Sequence, residues 1–263
     1  MKPQSIVSES TKSDPVRVGL MIPAFNEEAA LPLVLAEIPR EHLARLVVVD
    51  NASTDNTSNV ASEAGAQVVY EGQQGYGQAC LAGIAALLKS DADSGPSLQP
   101  NDVIVFLDGD HSDYPADLPT VIAPILEDRA DLVIGSRILG GASMDALLPQ
   151  AWFGNRLACF LLRVLFGARH TDLGPFRAIR VRALEHLRMA DRDYGWTIEM
   201  QLKARTARMR VVEVPVRYRQ RTGVSKITGT WRGTLLASWK ILGWIFSWRI
   251  RLFLRPGEIP TYR

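Results

Sequence analysis

Apolar residues in this chain come in short unbroken blocks separated by helical patterns. Val16 to Ile22, Leu46 to Asp50, Gln67 to Tyr70, Val103 to Leu107, Ala130 to Gly135 and Val211 to Val216 each read as strands. Most lack the alternation of a half-exposed strand, as expected where both faces are buried in a parallel sheet. Between the blocks, apolar residues recur at helical spacing. One helix is predicted from Asn26, a favourable N-cap with Glu27 and Glu28 behind it, to about Glu37. Others follow Thr57, run from Gln78 to Lys89, and run from Trp152 to Phe166. Strands alternating with helices mean βαβ units, so the fold class is α/β with a doubly wound, mostly parallel sheet.

The block that organises the rest is Val103-Ile-Val-Phe-Leu-Asp-Gly-Asp110, where five apolar residues end in two aspartates. Open α/β sheets bind ligands at the carboxyl ends of their strands. Residues i and i+2 of an extended chain point the same way, so a backbone extended through Gly109 aims Asp108 and Asp110 at one point. Two hard oxygen ligands with open positions suit Mg²⁺ or Mn²⁺ shared with phosphates. A polar turn after a strand would use the same residue types. The first two strands also deliver polar groups to this edge. A nucleotide laid there would meet Pro23 to Glu27, Asp50 and Ser53. Taken singly, Asn26, Ser53 or Asp55 fits a helix cap better. Taken together, three strands ending in acids or amides favour a ligand. The glycine-rich Gly72 to Gly77 lacks the Gly-Lys-Ser/Thr ending of a phosphate-binding P-loop.

The second half is more basic. Trp152 to Phe166 carries Leu157, Phe160, Leu161, Val164 and Leu165 at helical spacing, fitting a core helix or one lying in a membrane interface. Arg217, Arg219 and Arg221 alternate, which places them on one face of an extended segment, and Lys226 continues the cluster. Such a cluster suits phosphate oxygens, or protects a strand edge. Trp231 to Leu254 holds four of the six tryptophans, and its longest uncharged run falls short of the roughly 20 residues needed to span a bilayer. Tryptophan with interleaved Lys and Arg fits an interfacial helix, and packing on its own domain or on a second subunit (a homo-oligomer) fits equally.

Charge sharpens this picture. The net charge of +2 conceals 14 basic against two acidic residues from Lys203 to Arg263, and 16 against 26 in the remainder. A basic end favours an anionic partner such as a phosphorylated substrate or a membrane surface; no nucleic-acid recognition motif is present. Composition is that of an ordinary globular protein. Cys80 and Cys159 lie far apart within apolar patterns and read as reduced core residues, which suits a cytoplasmic setting. Residues 1–15 are polar, without the apolar core of a signal peptide, and read as a loose tail. Residues 16–230 then form the main domain and 231–263 an amphipathic, Trp-rich helical extension.

Eight stretches in order resemble family 2 glycosyltransferases of the GT-A fold, in the branch similar to dolichol-phosphate mannosyltransferase and related polyprenyl-phosphate hexosyltransferases. They are Ile-Pro-Ala-Phe-Asn-Glu-Glu (22–28), Val-Val-Asp-Asn-Ala-Ser-Thr-Asp-Asn-Thr (48–57), Gly-Tyr-Gly-Gln-Ala (75–79), Asp-Gly-Asp (108–110), Gly-Ser-Arg (135–137), Asp-Leu-Gly-Pro-Phe-Arg-Ala (172–178), Glu-Val-Pro-Val (213–216) and Arg-Thr-Gly-Val-Ser-Lys (221–226). The resemblance implies a nucleotide-sugar donor, GDP-mannose or UDP-glucose, held by Pro23, Ala24, Asn26, Glu27, Asp50, Ser53, Gly77, Gln78, Asp108 and Gly109. It implies Mg²⁺ or Mn²⁺ on Asp108 and Asp110, with Asp110 also catalytic, and inversion at the anomeric carbon. Arg137, Arg177, Arg221, Ser225 and Lys226 become candidates for acceptor or donor phosphates. A polyprenyl or dolichyl phosphate acceptor at the cytoplasmic membrane face, reached by peripheral contact, needs no strong base. A soluble or alcohol acceptor would, and Glu199 then has the best motif position. A non-catalytic nucleotide-sugar-binding module is the third reading. Three departures stand out from the family pattern: Asn51 in place of a second aspartate, Phe25 in place of tyrosine, and His111-Ser-Asp-Tyr-Pro115 after the Asp-Gly-Asp. The last puts Ser112 and Asp113 where a glutamine supports the metal.

Overall fold

The computed structural model describes residues 15–90, 95–142, 149–222, 231–255 and 261–262, with only the backbone described over 231–237. The expected tail (1–15), Ser225 and Lys226 lie outside the described residues, save for Pro15.

The first half is a run of parallel βαβ units: β1 (Val18–Ala24), α1 (Leu31–Glu37), β2 (Arg45–Asp50), α2 (Thr57–Glu63), β3 (Gln67–Tyr70), α3 (Tyr76–Leu88) and β4 (Val103–Phe106). Then follow α4 (Leu118–Leu126), β5 (Leu132–Ser136), α5 (Pro149–Phe166), β6 (Arg177–Arg180), α6 (Val181–Leu187), α7 (Trp196–Thr206), β7 (Val211–Pro215) and α8 (Trp231–Leu254). The seven strands form one sheet in the order β3-β2-β1-β4-β6-β5-β7. All pairings are parallel except those of β6, which runs antiparallel between β4 and β5.

The unbroken apolar blocks are explained by two buried faces. Val103 and Val105 join one core with α1 and α4, while Ile104 and Phe106 join the other with α3 and α7. Full burial of side chains this size contributes about 1.5–3 kcal/mol each. Strand β6 escapes a hydrophobic reading because its four residues begin and end in arginine. Both are buried: Arg180 pairs with Asp128 at 3.0 Å and donates to the Ile125 carbonyl at 2.7 Å.

Two expected helices differ in detail. Helix α1 begins at Leu31, so Asn26 does not cap it; Asn26 takes a left-handed φ of 54° and its side chain is drawn to the next loop. In α5 the buried stripe is Asn155, Ala158, Cys159 and Leu162, leaving Phe160 and Val164 exposed. Helix α8 packs on its own domain: Ile245 and Trp248 join α5 and α7 residues in a third core, and Trp248 Nε1 donates to Thr206 Oγ1 at 3.0 Å. Its outer side carries Trp239, Phe246, Ile250 and Phe253 in solvent. Among the described residues no helix is long and apolar enough to cross a membrane.

Candidate active site

Parallel register places Ala24 beside Asp50 and Met21 beside Phe106, so β2, β1 and β4 end at one edge. There a cavity of about 310 Å³ opens, lined by Pro23, Ala24, Glu27, Asn51, Tyr76, Asp108, Gly109, Asp110, Asp193, Tyr194 and Arg221 among others. The chain does not stay extended through Gly109. Strand β4 ends at Phe106 and a turn at Gly109–Asp110 brings both carboxylates into the cavity wall.

Asp108 Oδ1 accepts a hydrogen bond from the Tyr76 hydroxyl at 3.1 Å. Asp110 Oδ1 accepts from the Ser112 backbone N–H at 2.9 Å and its hydroxyl at 2.6 Å. Asp110 Oδ2 faces the Arg221 guanidinium at 3.0 Å, and Glu27 lies 3.5 Å from the same group. Burial, then the charge of Asp110, pushes Asp108 up to about 7. Two acids that repel one another at neutral pH, with only hard oxygen donors, fit a divalent cation shared with phosphates. Asp113 does not complete a ligand set. Its carboxylate oxygens are buried without a hydrogen-bond partner among the described residues, and burial with the charge of Asp108 raises it well above the usual carboxylate range. Among the described residues no three His, Cys, Asp or Glu come together as a metal-binding group. Ser112 is committed to orienting Asp110.

Several donor-side residues stand behind the cavity. Asp50 Oδ1 accepts from the Ser53 N–H at 2.9 Å, Ser53 Oγ accepts from the Asn26 N–H at 2.9 Å, and Asn26 Oδ1 accepts from the Thr54 N–H at 2.7 Å. This clasp ties the loop after β1 to the loop after β2. Asn51 has a clear use: its amide donates to the Gln73 carbonyl at 2.7 Å while its oxygen accepts from the Gly75 N–H at 2.8 Å. An ionised aspartate could accept but not donate.

Gly77 and Gln78 do not line the cavity. A Cβ on Gly75 would lie 2.2 Å from the Arg192 carbonyl oxygen, and one on Gly77 2.1 Å from that of Asp191. Both glycines make room for the 190–195 backbone, and Gly75 lines the cavity as well. Gln78 donates its backbone N–H to the Arg192 carbonyl at 2.9 Å and its side-chain amide to Glu71 at 3.1 Å. Gly77→Ala is therefore expected to destabilise the fold by about 1–3 kcal/mol, because the obstructing atom is backbone. Thermal denaturation checks this.

The phosphate candidates separate sharply. Arg221 reaches the cavity. Arg137 is bound twice through its side chain to buried Asp172, at 2.7 and 2.8 Å. Arg177 is 1% exposed, donates to the Gly174 and Thr197 carbonyls, and burial pulls it down to about 10. It supports the sheet edge from inside and cannot meet a phosphate. Arg217 and Arg219 are paired with Asp117 and Glu37 and lie over the Tyr114 ring.

Glu199 is likewise withdrawn from the cavity. It is fully buried, pairs with Lys203 at 2.7 Å, and accepts the Ala190 and Asp191 backbone N–H groups at 2.9 and 2.8 Å. A carboxylate with both oxygens engaged this way fixes a turn. It does not line the cavity. Sequence reasoning passed over Tyr76, Asp193 and Tyr194, although Tyr76 lies inside the Gly-Tyr-Gly-Gln-Ala stretch.

Comparison with known proteins agrees with this geometry. Residues 20–188 match the family model described as glycosyl transferase family 2. An uncharacterised glycosyltransferase of Mycobacterium tuberculosis is 37% identical over 233 residues, covering 86% of this chain and 97% of that protein. The undecaprenyl-phosphate mannosyltransferase of Micrococcus luteus is 30% identical, covering 81% of this chain and 88% of that protein. The dolichyl-phosphate hexose transferase of Haloferax volcanii is 31% identical, covering 80% and 86%. Among solved structures, glucosyl-3-phosphoglycerate synthase of M. tuberculosis with Mn²⁺, UDP-glucose and glycerol 3-phosphate superposes with a TM-score of 0.67 at 22% identity, over 89% of this chain and 80% of that one. That likeness concerns the GT-A fold. With the family model spanning most of the sheet and the two-aspartate edge inside it, the chain is a glycosyltransferase belonging to family 2.

Proposed function

We propose that the chain transfers a hexose from a nucleotide sugar to a polyprenyl or dolichyl phosphate, with inversion, at a membrane surface. The observation that carries this reading is the Asp108–Asp110 pair, with Arg221 beside Asp110, lining a cavity where three parallel strands end. The names of the Micrococcus and Haloferax relatives support the acceptor class.

Asp108 and Asp110 would hold Mg²⁺ or Mn²⁺ against the donor diphosphate. When bound, the ion supplies Lewis-acid stabilisation of negative charge on the departing nucleoside diphosphate. The chain's own residues do the rest. Pro23, Ala24 and Glu27 form the floor beneath the nucleotide, with the Asn26–Asp50–Ser53 clasp holding that floor in place. Tyr76 fixes the rotamer of Asp108, and Ser112 that of Asp110. Arg221, partly exposed and lining the cavity beside Asp110, is the cation available to a phosphate oxygen. A lipid phosphate is already ionised at neutral pH, so the reaction does not require Glu199. Access from a membrane is supported by the outer faces of α5 and α8, where exposed Phe153, Phe160, Trp239 and Phe253 stand among Arg156, Arg249 and Arg251.

The test is the product formed from an α-linked donor and a short prenyl phosphate. Proton NMR of the isolated lipid product should show a β-linked hexose. An α-linked product contradicts direct displacement, and the absence of lipid product contradicts the acceptor.

A further inference from the structure

The segment 190–195 contributes part of the cavity wall through Asp193 and Tyr194. Within it, Asp191 is 5% exposed yet contributes nothing to the cavity surface. Its Oδ1 accepts the Asp193 N–H at 2.8 Å and the Gly195 N–H at 3.0 Å, which fixes the bend that presents Asp193 and Tyr194. Its Oδ2 accepts Trp244 Nε1 at 2.6 Å and lies 3.2 Å from Lys240 Nζ, both on α8. Gly195 is what allows this approach: a Cβ there would lie 2.4 Å from both Asp191 Oδ2 and Trp244 Nε1. The other side of the segment rests on Glu199 and on the glycines at the start of α3, which are parts of the sheet domain. One carboxylate therefore joins the C-terminal helix to the cavity.

We propose that Asp191 is a positioning residue for donor binding, holding the Asp193–Tyr194 wall to α8 through Trp244 and Lys240. The inference rests on the donor cavity proposed above. Its physical basis is a buried, charged acceptor shared among four donors. Such bonds are stronger than neutral ones, and removing one donor leaves the acceptor under-satisfied. The wall then loses one of its two anchorages, while Asp108, Asp110 and Arg221 keep theirs. A movement of α8 is for the same reason felt at the donor site.

The experiment compares the wild-type protein with Trp244→Phe, which keeps the ring packing but removes the N–H. Calorimetry with Mn²⁺ and UDP or GDP, whichever the wild type binds, gives the dissociation constant; donor kinetics give KM and kcat separately. Trp244→Phe should bind the nucleoside diphosphate about tenfold more weakly. Donor KM should rise by the same factor with kcat within about twofold, the signature of lost uniform binding. Gly195→Ala, which forces Asp191 and Trp244 apart without altering either side chain, should reproduce the KM change. Phe246→Ser, on α8 but half exposed, should leave KM unaltered. Wild-type binding in both Trp244→Phe and Gly195→Ala overturns the inference, as does a fall in kcat alone. If the wild type binds neither nucleoside diphosphate, the donor cavity itself is misassigned and this inference falls with it.

Discussion

Replacing Asp108 by Asn is expected to cut sugar transfer by about 10²–10³-fold while making the protein more stable at pH 8. The two effects have one cause. Burial and the neighbouring Asp110 hold the Asp108 carboxyl up to about 7, whereas in an unfolded chain it would titrate near an ordinary aspartate. A folded-state pKa above the unfolded one means that ionisation opposes folding. The cost is absent at acid pH, grows as pH rises between the two values, and is complete above about 7. Asparagine cannot ionise and can still accept the Tyr76 hydroxyl, so it should recover about 1–3 kcal/mol at pH 8. The asparagine cannot, however, supply an anionic ligand. Thermal denaturation at pH 5 and pH 8 checks the sign, since the gain should shrink at the lower pH. Asp110→Asn should lose activity similarly but without that gain, because Asp110 already has Arg221 as a counter-charge. For the same reason, Mn²⁺ affinity of the wild type should climb with pH up to about 7 and level off above it, as the ion stops competing with a proton.

Glu199→Gln should show the opposite division, a large loss of stability with chemistry preserved. The buried carboxylate uses one oxygen for Lys203 and both for the Ala190 and Asp191 N–H groups. A glutamine must turn its NH₂ toward a donor on one side and leaves Lys203 without its charge partner. Breaking a buried pair in this way costs about 3–5 kcal/mol. At a temperature where the variant is folded, its kcat with a prenyl phosphate should remain within about tenfold of wild type, since the effect reaches the cavity only through the 190–195 segment. A general base would instead give a loss of about 10²–10⁴-fold in kcat with stability nearly unchanged.

What could be read from the chain beforehand divides along physical lines. The parallel strands were legible because burial on both faces demands unbroken apolar residues, and Val103 to Leu107 carries that demand without exception. Strand β6 was not, because its buried ends are arginines: Arg180 is paired with the distant Asp128, and Arg177 is held by backbone carbonyls. The two aspartates could be located from the end of a strand, although the turn at Gly109 brings them together in a way that strand geometry does not foresee. Arginines and glutamates were the least legible. Arg137, Arg177 and Glu199 all sit in motif positions, yet their ionic or carbonyl partners occupy them fully. Charge type is visible in a sequence; whether a charge is already satisfied depends on a fold that brings Asp172 to Arg137 across 35 positions. The glycines of 75–77 illustrate the same point for space, since the close backbone approach of Arg192 and Asp191 explains them.

The central claim is that Asp108 and Asp110 hold a metal-bound nucleotide sugar for attack by a lipid phosphate. Its most direct test is nucleoside diphosphate release from a panel of UDP- and GDP-hexoses with Mn²⁺, with and without a short polyprenyl phosphate. Release from one donor that depends on the lipid phosphate, and disappears in Asp108→Asn and with chelator, is the predicted result. Release that is indifferent to the lipid phosphate for every donor, or that survives loss of Asp108, would contradict it.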